Sequence, residues 1–491
     1  MISFFWIAFL SYSLIVIGTG FFIFRREKKA GFAYDNQEYW MAQRTLSGQS
    51  VGLSISASMM SISWSCVYGV QLFYWYGIGA IWLLLTPWLF TMLGFYIFAP
   101  LFRKMEMFSQ PQLIGSRFGR KSRMLLALAL IFVFTVWAGA EIYAAGILIA
   151  PFLEISVPLT LLLIAVVVAL YSYSGGFRAV IATDKIQYFL VAIFIGILAI
   201  LSINAVLTHP LTELVSDIFP RPPRSMPSVP LLFSPGFGLI IITFLVYIPG
   251  WLVETDVWLR LQAAENNREA RKGILIAGLN SLIFVGILPA IIGISALYLY
   301  PPVGQIIPER LQEGALIFSV FMQDYAPAGL TVFLSVGLVA AAMSTIDTCS
   351  NVVALSISYD LLEPHFVKRL SMEKLNHLAR WTSVGAIFLA FVYALYTESL
   401  WDIFYLSSGI LTTTVFLPVI TAFNKNTKNN QIQLAMIFGF SVTIIFYFLE
   451  KSGVLFSLHP IWLKQTGLGY ILWGLLAAII GWFSGLVLKN D

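Results

Sequence analysis

The sequence predicts an all-α polytopic membrane protein of about thirteen transmembrane helices, and three observations carry that reading. The first is composition. Of 491 residues, 59% are hydrophobic and only 11% charged, against about 25% charged in soluble domains. The length would allow roughly three soluble domains, but 29 Lys+Arg and 24 Asp+Glu cannot cover three globular surfaces. Disorder is excluded because disordered chains are poor in apolar residues. The second observation is a series of stretches apolar enough to cross about 30 Å of hydrocarbon. They lie near 2–24, 48–71, 76–101, 122–150, 157–174, 184–207, 235–258, 273–299, 328–358, 378–397, 402–423, 431–450 and 468–487. The third is charge placement. With residue 1 outside, the cytoplasmic connections hold all 29 Lys+Arg except Arg221, Arg224, Arg310, Lys451 and Lys464. A miscounted helix would invert every later loop and destroy that bias. The net charge of +5 is therefore a topology signal, and neither a nucleic-acid partner nor a soluble partner domain is implied.

Each span has its own reasons. Span 1 lacks the basic start of a secretory signal; its cluster Arg25, Arg26, Lys28 and Lys29 follows the apolar run, so the segment reads as retained. Span 2 carries six serines between Ser54 and Ser65. On span 4, Glu141 stands about 27 Å along the helix from Arg123 at 1.5 Å per residue, which places it near the outer interface and open to water. Asp184 opens span 6 and reads either as a solvated acid favoured by the helix dipole or as part of an ion path. The prolines of 209–230 predict an ordered extracytoplasmic connection. Span 7 holds Pro249-Gly250 in mid-span, and Asp256 lies four residues before Arg260, a spacing suited to an ion pair along one helix. The connection 300–327 is long enough for a short interfacial helix. On span 9, Asp347 lies about 20 Å into the membrane, counted from Asp360. A carboxyl at that depth is a functional hypothesis by default, or a structural group bonded to Ser344, Ser350 and Asn351. Cys66 and Cys349 sit inside apolar stretches and imply no disulfide framework, and four scattered histidines suggest no metal cluster.

Spans 2 and 7 share a property. A lipid-exposed backbone group costs several kcal/mol, so a serine-rich or Pro-Gly interruption is informative. The two are five spans apart, and an odd number of crossings turns a second copy of a five-helix unit upside down. Paired interruptions at corresponding positions of inverted halves point to a transporter binding site. The plainer alternative is that small residues merely allow close helix packing.

Four segments then resemble the sodium:solute symporter family across essentially the whole chain. They are EYWMAQRTLSG (38–48), YSYSGGFRAVIATDKIQ (171–187), TDVWLRLQAAENNREARKG (255–273) and AAAMSTIDTCSN (340–351). The resemblance implies a ten-helix inverted-repeat core of the leucine-transporter type. Residues 1–47 would form the first helix and its cytoplasmic connector, and 48–208 the first repeat. An extracytoplasmic loop and the second repeat would fill 209–423, and two C-terminal helices 424–491. It implies sodium, as transported co-substrate, between spans 2 and 9. Its ligands would be the carbonyls of Ala57, Met60 and Ala341, the last from a freed turn, and the hydroxyls of Ser344 and Thr345. Asp184 and Asp347 are then ion-path or outer-sphere candidates. A solute would sit near Met59, Ser63 and Trp64 on span 2 and Tyr247, Trp251 and Glu254 on span 7. Met59 stands where sugar- and proline-handling members carry Asp or Asn, which argues against a sugar.

The expected function is sodium-coupled symport of a small organic solute by alternating access, in a plasma membrane of bacterial inner-membrane type. The N-terminus is expected outside and the C-terminus in the cytoplasm. Alternatives are a proton-coupled or sodium-independent carrier using Asp347 or Asp184, and a membrane sensor. The sensor is disfavoured because the chain ends four residues past its last span. No nucleophile has a convincing base partner, so no enzyme activity is expected.

Overall fold

The computed structural model describes residues 2–29, 44–105, 107, 109–174, 177–208, 221–362 and 372–488. Motif positions 38–43 and 175–176, the first half of the 209–230 connection and the 363–371 loop lie outside the described residues. Among the described residues, eleven helices are long and apolar enough to cross a membrane. A pair bent by 51°, Gly48–Met59 with Ile62–Trp82, adds span 2, and the shorter apolar helix Val157–Tyr173 adds span 5. That completes thirteen. Span 2 runs on to Tyr76, so span 3 starts only at Leu85, later than the apolar pattern places it.

Burial separates core from periphery. In span 11, 83% of the most apolar stretch is buried, and in spans 4 and 9, 67%; in spans 1 and 12 the share is 28%. Exposed Phe22, Leu207, Phe388 and Phe448 give the outer helices a surface suited to lipid.

Connections alternate between two ends of the bundle. At the basic end, Leu46 pairs with the strand-like end of span 7, its amide on Ala263 O at 3.0 Å and its carbonyl taking the Glu265 amide at 2.9 Å. Arg103 donates to Ala264 O and Glu265 O, and Gln110 Nε2 to Val253 O at 2.8 Å. At the other end, Trp75 Nε1 and Gln71 Nε2 both donate to Glu313 O. The Arg224 guanidinium lies 3.5 Å from the Trp75 ring centroid. The 300–327 connection does form a short helix, Ile317–Tyr325. Its Asp324 accepts from Arg310 at 2.8 Å, and that bond holds the guanidinium above its ordinary pKa.

Spans 8 and 11 contain wide, π-type turns at Leu282–Ile287 and Leu411–Phe416, just before Pro289 and Pro418. Proline has no amide to close the regular ladder, and a widened turn absorbs the mismatch without breaking the helix. Spans 2 and 8 approach glycine to glycine. A Cβ on Gly52 would fall 2.8 Å from Gly273 O, and one on Gly273 2.6 Å from Val51 Cγ1. Overpacking of that kind costs about 1–3 kcal/mol. Gly273→Val should therefore lower the melting temperature in detergent by several degrees, whereas Gly329→Val, with open space around it, should not.

Candidate functional site

Both interrupted spans break, though not both where expected. In span 2 the helical ladder ends with the Met60 amide on Ser56 O at 2.8 Å. Ser61 is extended (φ −72°, ψ 155°) and caps the second half, its hydroxyl accepting from the Trp64 amide at 2.9 Å. The carbonyls from Ala57 onward thus lose their helical partners, and Ser58 O takes the Thr345 hydroxyl at 3.2 Å.

In span 7 the helix continues through Pro249 and Gly250 to Leu252, and the break falls at Val253–Glu254. The proline is supported by span 11: Thr412 Oγ1 donates to Val246 O. Gly250 is needed there for closeness, since its Cβ would lie 2.9 Å from Ser408 O. Two tight turns, Val253 N to Gly250 O and Glu254 N to Trp251 O, then close the helix, and Thr255–Ala263 begins anew.

Below these breaks lies a buried polar network centred on Arg260, which is 1% exposed. Its Nε donates to Ser54 Oγ at 2.8 Å, and Nη2 to Ser58 Oγ and Thr348 Oγ1 at 2.9 Å each. It pairs with Asp256 at 3.2 Å and with Asp184 at 3.3 Å. Asp184 also accepts from Ser54 Oγ and, at 2.7 Å, from Ser344 Oγ. One guanidinium fork thereby ties spans 2, 6, 7 and 9 together.

One expectation holds and three need correction. The Asp256–Arg260 pair forms along one helix as expected, inside the bundle and shared with Asp184. Asp184 is fully buried and is no solvated helix-terminal acid. Asp347 finds its partner on span 5, accepting from Ser172 Oγ, because Ser344 is committed to Asp184 and Ser350 donates to a main-chain carbonyl. Ala341 lies in an unbroken helix, Ala328–Leu355, so its turn is not freed.

Beside the network, at the level of the breaks, is a cavity of about 60 Å³. A single water needs roughly 10–15 Å³ on the same measure. Of the expected residues, Met59, Ser63, Trp64, Trp251, Glu254 and Thr345 line it. Tyr247 stands behind, stacked on Trp251 at 4.2 Å. Ala57, Met60, Ala341, Ser344, Asp184 and Asp347 lie outside the lining. Sequence reasoning missed Trp88, Trp137 and Phe404, and set Glu141 apart from the site. Glu141 is not at a wet interface: it is 2% exposed and accepts from the Ser63 amide and hydroxyl at the start of span 2's second half. Toward the end away from the basic loops, Trp64 meets Tyr68 and Phe404 at 5.3 and 4.8 Å. Tyr68 and Trp75 in turn meet Trp401, which seals that side with aromatic rings.

Comparison with known proteins adds three findings. A model of the sodium:solute symporter family matches residues 39–439. The sodium/glucose cotransporter of Vibrio parahaemolyticus is 24% identical over 78% of this chain and 73% of that protein. The sodium/sialic acid symporter NanT of Aliivibrio fischeri is 22% identical over 83% and 80%. Among solved structures, a Na+-coupled sialic acid symporter in a substrate-bound outward-open state superposes with a TM-score of 0.71 at 19% identity, covering 99% of this chain and 98% of that one. That likeness shows a shared fold.

Proposed function

The chain belongs to the sodium:solute symporter family, a sodium-coupled carrier of a small organic solute in a multi-pass membrane fold with the leucine-transporter-type core, and from that premise we propose how its residues carry out the coupling. Sodium binds between the broken end of span 2 and span 9. The observation that carries this reading is the junction itself. Thr345 Oγ1 reaches Ser58 O at 3.2 Å, next to the carbonyls released beyond Ser56 and next to Ser344. Unwound carbonyls and hydroxyls are the oxygen donors that transporters use for sodium. The ligands are Ala57 O, Met60 O, Ser344 Oγ and Thr345 Oγ1; Ala341 O keeps its helical bond and offers only its second lone pair.

Asp184 holds Ser344 in place and receives the ion on its way toward the basic end. That end is cytoplasmic, the N-terminus outside, because 24 of the 29 Lys+Arg (29 less the five named above) lie in loops on that side. Residues 48–208 are the first repeat, 209–423 the extracytoplasmic loop and the second, inverted repeat, and 1–47 and 424–491 the flanks; rocking of the repeats about spans 2 and 7 alternates access. Each sodium gains about 2.3 kcal/mol per 100 mV of membrane potential. The protein's part is binding and release, with no catalytic role assigned.

Ser344→Ala combined with Thr345→Ala should raise the sodium concentration for half-maximal thermal stabilisation at least tenfold, with potassium as the control cation. The melting temperature without sodium should change little. A double variant that keeps the wild-type sodium response would remove this site.

A further inference from the structure

We propose that the solute is an organic cation, a quaternary or otherwise fully substituted ammonium compound, caged by Trp64, Trp88, Trp137 and Trp251 and charge-matched by Glu254 and Glu141. The inference rests on the reading of the cavity as the transport site and goes beyond it by naming what the cavity takes.

The apolar part of the wall is mostly aromatic: Trp64, Trp88, Phe134, Trp137, Trp251 and Phe404. Trp64 stands edge-on to Trp251 at 5.1 Å and 88°, and to Phe404 at 4.8 Å and 81°. Trp88 meets Trp251 at 5.2 Å and 70°. These rings come from spans 2, 3, 7 and 11, and an indole face turned to the cavity attracts a cation through its quadrupole. Three of the four indole N–H groups are turned to neighbouring spans. Trp88 Nε1 donates to Ser281 Oγ and Trp137 Nε1 to Ser407 Oγ, both at 2.7 Å, and Trp251 Nε1 to Ser408 Oγ at 3.3 Å.

The hydroxyl donors on the walls are committed too. Ser63 donates to Glu141, Thr345 to Ser58 O, and Ser61, which accepts from the Trp64 amide, also hydrogen-bonds Glu141. Ser58 and Thr348 both accept from Arg260. A sugar or polyol needs donors and acceptors that match its own, and selection for a hydroxyl comes from a site built to bond it. These walls have spent most of their donors on the protein. A substituted ammonium group asks for no such bonds.

Charge points the same way. Among the described residues the lining holds Glu141, Glu254 and Asp256, and no Lys, Arg or His. Asp256 is answered by Arg260. Glu141 is held by donors of span 2 alone. Glu254 is 4% exposed, and its Oε2 has no hydrogen-bond partner. A buried carboxyl group with an unpartnered oxygen is costly to ionise, and a solute that brings positive charge lowers that cost. An anionic solute would add to it.

The test uses the full-length protein purified in nanodiscs, with tryptophan fluorescence and thermal stability read in sodium or potassium buffer. The probes are choline, tetramethylammonium, glycine betaine, glucose, acetate and 3,3-dimethyl-1-butanol, the neutral isostere of choline. Choline or tetramethylammonium should quench the indoles and raise the melting temperature, and glucose and acetate should do neither. Glu254→Gln should weaken choline binding at least tenfold and leave any response to the neutral isostere unchanged, which separates lost charge from lost folding. Trp251→Phe should keep most choline binding, and Trp251→Leu should lose it. Stabilisation by glucose or acetate, or by none of the three ammonium probes, overturns the proposal. If sodium still stabilises the protein while no ammonium compound binds, the solute class is wrong and sodium coupling stands. If ammonium compounds bind equally in sodium and potassium, the solute class stands and the coupling reading fails.

Discussion

Arg260→Met is expected to reduce sodium-driven uptake in proteoliposomes below one hundredth of wild type and to lower the melting temperature by the largest margin of any single change considered. Methionine fills a similar volume but supplies no donors. The guanidinium is the shared partner of Asp184 and Asp256 and bonds Ser54, Ser58 and Thr348. Removing one member of a buried pair leaves the other uncompensated, at about 3–5 kcal/mol. Arg260→Lys should be intermediate: it keeps the charge but cannot spread its donors across a planar fork. A methionine variant that melts within 2 °C of wild type would mean the network adds no stability.

Asp184→Asn is the second large effect, and it should separate function from folding. The amide is nearly isosteric, and Arg260 keeps Asp256, so the melting temperature should fall far less than in Arg260→Met. Transport should suffer more. Ser344 donates to Asp184, and half of an asparagine amide is a donor that cannot accept from it. We expect the half-saturating sodium concentration to rise more than tenfold and turnover to fall about a hundredfold. Combining Asp184→Asn with Arg260→Met should recover part of the stability lost in Arg260→Met, the non-additivity of groups in one network, and recover none of the uptake. Unchanged sodium dependence in Asp184→Asn would exclude the carboxylate from the ion path.

The spans were legible because hydrocarbon demands that each segment satisfy its own backbone, which leaves long apolar runs in the sequence. The break in span 2 was legible too, since serines are poor helix-interior residues that bond locally. Span 7 shows the limit. Pro249 is a strong local signal, but span 11 supplied Thr412 and a close approach at Gly250, and the break moved to Val253–Glu254. Glu141 was misread because rise along a helix gives height and not facing: its side chain turns inward onto Ser63 of span 2. Of Arg260's partners only Asp256 lies within one helical turn. The others come from spans 2, 6 and 9, and nothing in local spacing records them. The family segments carried Arg260, Asp256, Asp184 and Thr348 in plain view, without recording that they meet.

The widened turns ahead of Pro289 and Pro418 have a mechanical consequence. A regular helix bends only by stretching its ladder, whereas a turn with a spare residue can take up or release slack by exchanging hydrogen-bond partners. Spans 8 and 11 flank the two broken helices, one against span 2 and the other against span 7. They act as compliant springs beside the broken helices, so that tilting the halves strains neither the ion's oxygens nor the lipid-facing backbone.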